Sequence, residues 1–231
     1  MKNFLTLTGA LALLALLPVA HADSLSTQGD VTTVTNNGTL AYQLTNSGPN
    51  QYGVLDISFS TPVALSSIND ISVNYVETSG ATFGVGAPRI AISTPANAGQ
   101  AAFIYLGTPN SSGGFTDPNA GGTTFTSTGN LADASSGIDD VDTNGNGFGS
   151  YNVNYPYVSY GDLQANAGST LVSDIALVLD QGTPGQVLDV SSFTINGQTF
   201  APTPEPASIV PMILGGAGLL ALALRMRKRT A

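Results

Sequence analysis

The sequence predicts an all-β protein, an antiparallel β-sandwich of jelly-roll-like type, and three observations carry that prediction. Short apolar runs of strand length recur between Gly, Ser, Thr and Asn clusters, the pattern of many short strands joined by turns. Asn-Gly dipeptides at 37–38 and 196–197 each sit between two such runs, which is the hairpin signature. Between the two chain ends no long stretch has the 3.6-residue helical period, so crossover helices and a parallel sheet are not expected. A parallel β-helix is the alternative all-β architecture, but it needs a short fixed repeat and none is evident.

The elements follow in order. Residues 31–35 and 40–45 form a first pair around Asn36-Asn37-Gly38. Leu55, Ile57 and Phe59 alternate with Asp56 and Ser58, and Pro62 is expected to end that strand because it cannot donate to a ladder. Ile71, Val73 and Tyr75 alternate with polar neighbours, followed by a loop over 80–88. Strands 89–92 and 101–106 are joined through 95–99, and Gly107-Thr108-Pro109 is expected to stop the second. Residues 110–149 form the least regular part, with one short strand near 123–126. A single helical turn over 162–167 has Ser159 or Asp162 as its cap. Residues 171–180 read as a central strand, apolar on both faces. In 187–195 the apolar parity changes, which a bulge near Ser191-Ser192 reconciles. Asn196-Gly197 then turns 193–195 back onto 198–200, and Pro202 and Pro204 leave the sheet as an extended stalk.

The two ends read differently. Lys2, the apolar run 4–17, Pro18 and the Ala20-His21-Ala22 site have the form of a cleavable signal peptide over 1–22, with maturation at Asp23. At the other end Pro204-Glu205-Pro206 precedes an apolar run over 209–224 and the basic cluster 225–229. As a transmembrane helix this run spans about 24 Å, short against a hydrocarbon core of about 30 Å. The positive-inside rule keeps the basic cluster cytoplasmic and places everything before Pro204 outside. Residues 23–203 are then one exported domain, long enough for a sizeable core.

Charge sharpens this division. Of the six Lys and Arg residues only Arg89 lies between 23 and 203, whereas fourteen of the fifteen acids do. The sole histidine, His21, falls in the signal peptide, and there are no cysteines. Such a domain has almost nothing with which to displace phosphate counterions, so nucleic acid and anionic lipid are poor partners and cations are plausible ones. Disulfide stapling and thiolate metal sites are excluded as well.

The tail, from Pro204, Glu205, Pro206, Ala207 and Ser208 through the span with Gly215, Gly216 and Gly218 to the basic run, resembles the PEP-CTERM sorting signal of Gram-negative bacteria. The resemblance covers residues 204–231. It implies recognition by an exosortase, a membrane-embedded transpeptidase-like cysteine enzyme, with cleavage near the Pro-Glu-Pro. It also implies export to the cell surface or the exopolysaccharide matrix, the membrane helix being a transient anchor. An ordinary C-terminal anchor is the plainer alternative. The domain loosely resembles sandwich modules of PEP-CTERM proteins, and more distantly carbohydrate-binding modules, through Gly86-Ala87-Pro88-Arg89, residues 103–107 and 189–197.

Within the domain the sharpest local feature is 139–147. Asp140, Asp142 and Asn144 alternate before Gly145, matching the first half of a D-x-[DN]-x-[DN]-G calcium loop, with the carbonyl of Asn146 as a fourth ligand. Tyr151 stands where the bidentate Glu of an EF-hand would be, so Asp139 or Asp162 would have to complete the shell; a solvated Asx/Gly turn uses the same residues. Tyr155 and Tyr157, within a segment that also holds Tyr151 and Tyr160, either stack on sugar rings or pack at a sandwich rim. Arg89 is expected in a salt bridge. Without His, Cys or Lys in the domain, Ser-His and Cys-His nucleophile pairs cannot be built, so no catalytic residues and no enzymatic role are expected. A glycoside hydrolase using Glu77 is the remote alternative. The expectation is an exported structural or adhesive matrix protein, with a carbohydrate-binding module as the competing class and calcium as the one possible cofactor.

Overall fold

The computed structural model describes residues 24–48, 51–79, 88–106, 108–109, 115–116, 122–133, 141–142, 159–179 and 185–204. Fourteen strands and one α-helix lie in this part of the chain. The strands are β1 (Ser24–Gly29), β2 (Val31–Asn36), β3 (Thr39–Asn46), β4 (Gly53–Ala64), β5 (Ile71–Ser79), β6 (Arg89–Thr94), β7 (Asn97–Tyr105), β8 (Thr108–Pro109), β9 (Phe115–Thr116), β10 (Thr126–Ser127), β11 (Val141–Asp142), β12 (Leu171–Leu179), β13 (Gln186–Ile195) and β14 (Gln198–Phe200). The helix α1 spans Tyr160–Ala167.

Two antiparallel sheets contain nearly all of these. The first has the order β1-β4-β12-β6-β7-β11, the second β10-β5-β13-β3-β2 with β14 also paired to β13, and β8 pairs with β9 separately. Every strand pair is antiparallel, which rules out the parallel β-helix for the described residues. Apolar residues of both sheets form one core, with Leu55, Ile57, Ile90, Ile175 and Leu177 from the first and Leu44, Val73, Tyr75, Leu188 and Phe193 from the second. Alternation along β4 from Gly53 to Phe59 and along β5 from Ile71 to Tyr75 sends the apolar side chains inward and their neighbours outward.

Several local expectations appear as read. Both Asn-Gly pairs adopt left-handed conformations, Asn37 at φ 49° and Gly38 at 80°, Asn196 at 49° and Gly197 at 77°. These are the two positive φ values of a type I′ turn. Strand β12 is central, flanked by β4 and β6. The parity change in β13 is a bulge, because its register on β5 shifts between Val190 and Ser192. Ser159 caps α1 through a capping box with Asp162. The helix is two residues longer at its start than the single turn expected, since Tyr160 is fully buried and anchors it on the core.

Other expectations are corrected. Pro62 does not end β4, which runs on to Ala64 and pairs Val63 and Ala64 with Val172 and Leu171. The register slips between Val172 and Asp174, so Pro62 falls in the irregular stretch where no ladder bond is asked of it. The stop expected at Gly107-Thr108-Pro109 is present, since β7 ends at Tyr105 and Thr108–Pro109 pair separately with Phe115–Thr116. Strand β7 begins at Asn97, earlier than expected, because Thr94 and Asn97 close a tight connection. The short strand placed near 123–126 lies at Thr126–Ser127 on β5. Strand β1 was not foreseen at all. It is a polar sheet edge with only Leu25 partly turned inward, so it lacks the alternation that marks a half-buried strand.

Candidate functional site

Strand register gathers polar residues on the outer face of the first sheet. On β4, Val54, Asp56 and Ser58 point away from the core, because Leu55 and Ile57 point into it. The register sets Asp56 opposite Ser26 of β1 and Ala176 of β12, and Ser58 opposite Asp174. Asp56 and Asp174 are thus diagonal neighbours on one face. The Gln28 side-chain amide donates to Asp56 Oδ2 at 3.5 Å, and Ser173 Oγ donates to Asp174 Oδ2 at 2.8 Å. Asp56 Oδ1 is buried and has no hydrogen-bond partner among the described residues.

Burial, and after it the nearby charge of Asp174, raises the Asp56 carboxyl above its ordinary value of 3.8. The folded protein therefore binds that proton more tightly than the unfolded chain does. Stability falls as pH rises from about 3.8 through the raised value, and stays lowered above it. The substitution Asp56→Asn is expected to raise the melting temperature at pH 7, with a gain that shrinks as pH is lowered below 3.8. Melting curves at both pH values check this; an equal shift at each would show that ionisation is not the cause.

Further across the same sheet, Arg89 on β6 and Phe103 on β7 share the outward side. The Arg89 guanidinium lies over the Phe103 ring, 4.5 Å from its centroid, a cation–π contact. Phe103, Ala91 and Val178 form a second, small apolar cluster on this face, outside the main core. This ring contact stands beside the salt bridge expected of Arg89 and does not replace it. Asp142, on β11, pairs with Phe103. It is the one member of the expected calcium loop among the described residues; Asp140, Asn144 and Asn146 lie outside them, as do Tyr155 and Tyr157. Asp162 is committed elsewhere, since its Oδ2 accepts from the Ser159 backbone N–H at 3.4 Å and hydroxyl at 2.9 Å. No group of three or more His, Cys, Asp or Glu that could hold a metal occurs among the described residues.

Glu77 lies on β5 opposite Leu188, facing inward with no solvent exposure. Near it Asn46 and Gln186 pair across the β3–β13 ladder: Asn46 Nδ2 donates to Gln186 Oε1 and the Gln186 backbone N–H donates to Asn46 Oδ1, each at 2.9 Å. A carboxyl sealed inside the sandwich is not positioned to reach a glycosidic oxygen. On the opposite side of β13, Asp189 is 2 % exposed and accepts from Asn36 Nδ2 at 2.7 Å and Gln43 Nε2 at 2.9 Å, tying β2, β3 and β13 together. Sequence reading missed both the Asp56–Asp174 pair and the Asp189 cluster, because each is created by strand register between residues far apart in the chain.

The chain leaves the domain directly after β14. Phe200 pairs with Phe193, Pro202 is buried, and Thr203 and Pro204 are exposed. Ala20, Ala22, Glu205, Pro206 and the apolar run 209–224 lie outside the described residues. No helix among the described residues is long and apolar enough to cross a membrane.

Residues 202–228 match the family profile of the PEP-CTERM protein-sorting motif. No curated protein matches the chain. Among solved structures the chain is similar to PfGH50B at 14 % identity and a TM-score of 0.38, covering 80 % of this chain and 24 % of that one. It is similar to an exo-β-agarase at 13 % identity and a TM-score of 0.35, covering 79 % and 23 %. It is also similar to the xyloglucanase domain of NopAA, a type three effector from Sinorhizobium fredii, in complex with cellobiose, at 14 % identity and a TM-score of 0.35, covering 77 % and 93 %. The chain thus spans about a quarter of the length of the first two. Likeness at this level fixes neither substrate nor reaction.

Proposed function

We propose that this is an exported, exosortase-processed protein whose β-sandwich acts as a structural or adhesive component of an exopolysaccharide matrix, without catalysis. The carrying observation is the PEP-CTERM motif at 202–228, which implies export and processing by an exosortase and begins two residues past the last described strand. The tail thus directs a folded domain that ends where the signal starts. The charge division supports this reading: basic residues sit at the two ends, and Arg89 alone lies in the domain. So does the chemistry of the domain, with no His, Cys or Lys between residues 23 and 203 and with Glu77 enclosed in the sandwich. Calcium bound through Asp140, Asp142, Asn144 and Asn146 would stiffen the 139–147 segment or bridge acidic surfaces.

A carbohydrate-binding role is the second reading, favoured by the hydroxyl- and carboxylate-lined outer face that carries Gln28, Asp56, Ser173 and Asp174. The aromatic platform for it would be Tyr155 and Tyr157. Pull-down of the exported protein on insoluble and extracellular polysaccharides separates the two. A structural role predicts retention in the intact matrix with no saturable binding to isolated polysaccharide. A binding module predicts saturable capture that a Tyr155→Ala, Tyr157→Ala double variant loses by on the order of tenfold.

A further inference from the structure

We infer that the edge strand β2 is a self-association surface, pairing antiparallel with β2 of a second copy of this chain about a twofold axis at Thr33. The ladder parity of β2 follows from its hairpin. Asn37-Gly38 is a two-residue turn with both φ values positive, so the flanking pair Asn36 and Thr39 exchanges backbone hydrogen bonds. Alternation then makes Val34 with Ala41 and Thr32 with Gln43 bonded pairs. The Thr45 N–H donating to the Asp30 carbonyl at 3.0 Å continues that alternation at the far end of the strand. The N–H and C=O groups of Val31, Thr33 and Thr35 consequently point away from β3, toward the side of the sheet on which no described strand lies.

Among the described residues strand β2 is the last in its sheet, and Thr32, Thr33 and Thr35 are exposed there. Its sequence Val31-Thr-Thr-Val-Thr-Asn36 is built from β-favouring residues and carries no charge and no proline. Its register on β3 runs without a bulge. These are the features by which sheet edges are usually blunted, and here they are missing. The opposite edges of the two sheets, β10 and β11, are only two residues long.

The charge distribution selects a second copy as the occupant. Between residues 23 and 203 the chain has fourteen acids and one base, so most faces of two copies repel each other. Strand β2 brings no charge opposite itself, and a twofold contact needs one surface that is complementary to its own image. With the axis at Thr33, Thr33 pairs with Thr33 of the partner and Val31 with Thr35, giving a ladder of about six backbone hydrogen bonds. The contact is small, and it strengthens with ionic strength because salt screens the repulsion between the two acidic bodies.

The test uses the exported protein purified from the cells that make it, together with single-site variants. The natural chain has no cysteine, so Thr33→Cys adds a single thiol. A bonded antiparallel pair sets Cα atoms about 5.5 Å apart, within disulfide reach. Under mild oxidation Thr33→Cys is expected to give on the order of tenfold more linked dimer than Ala165→Cys, which is also exposed but on α1. Thr33→Pro removes only an outward N–H, so the β2–β3 ladder and the melting curve are retained while sedimentation shows monomer where the natural protein is dimeric. The inference is overturned by a natural protein that stays monomeric at millimolar concentration in high salt. It is overturned equally by Thr33→Pro dimerising as well as the natural protein, by equal cross-linking of the two cysteine variants, or by a different chain captured at position 33.

Discussion

A chain carrying both Glu205→Ala and Pro206→Ala is expected to remain in the membrane fraction at its unprocessed mass, with surface and matrix-associated protein reduced on the order of tenfold or more. The reasoning begins with topology. By the positive-inside rule the basic residues 225–229 are expected to hold the end of the chain in the cytoplasm, with the apolar run 209–224 as the expected transient anchor. On that expected topology export alone delivers a tethered domain, and release needs the Pro-Glu-Pro segment to be recognised. Strand β14 ends at Phe200 and the matched motif starts at residue 202, so no flexible linker separates the fold from the signal. Fractionation followed by mass measurement in cells with an exosortase checks this. Normal release of the double variant would remove the sorting motif from the account.

The largest effect on stability is expected at Gly29. This residue turns the chain from the edge of one sheet, β1, to the edge of the other, β2, and does so at φ +70°. A Cβ there would lie 2.0 Å from the Tyr52 carbonyl oxygen, the same atom that accepts the Asp30 N–H at 2.7 Å. The substitution Gly29→Ala imposes a left-handed alanine, costing about 1–2 kcal/mol, and a backbone collision that breaks a backbone hydrogen bond worth about 1 kcal/mol. A total of about 2–4 kcal/mol lowers the melting temperature by roughly 5–15 °C for a domain of this size. Gly38→Ala is the internal control. It shares the left-handed φ, at +80°, but meets nothing within 4 Å, so only the conformational cost of about 1–2 kcal/mol applies. Equal losses in the two variants would show that the collision at Tyr52 is relieved at no cost.

Much of the fold was legible because its signals are local. The Asn-Gly hairpin at 196–197, the parity change at Ser191-Ser192 and the cap at Ser159 depend on residues within a few positions of one another. The structure has each of them. The features that were not legible depend on register. Pro62 stays within β4 because β12 slips against it at that point, and nothing near Pro62 in sequence announces this. Strand β1 has exposed polar residues on both faces, so it carries no period to read. Asp56 and Asp174 meet only once β4 and β12 are aligned. Of the expected calcium ligands, only Asp142 is placed, on β11 beside Phe103. The sorting tail was legible for the opposite reason: its order of Pro-Glu-Pro, apolar run and basic cluster is a linear signal needing no fold.

The account rests on the tail being a signal that is removed, and the C-terminus of the mature protein tests that most directly. Protein collected from the cell surface and matrix should yield C-terminal peptides ending near Pro204–Pro206, with none from 209–231. Surface protein that still carries Arg225, Arg227 and Arg229 would contradict the account, leaving an anchored domain in place of a sorted one.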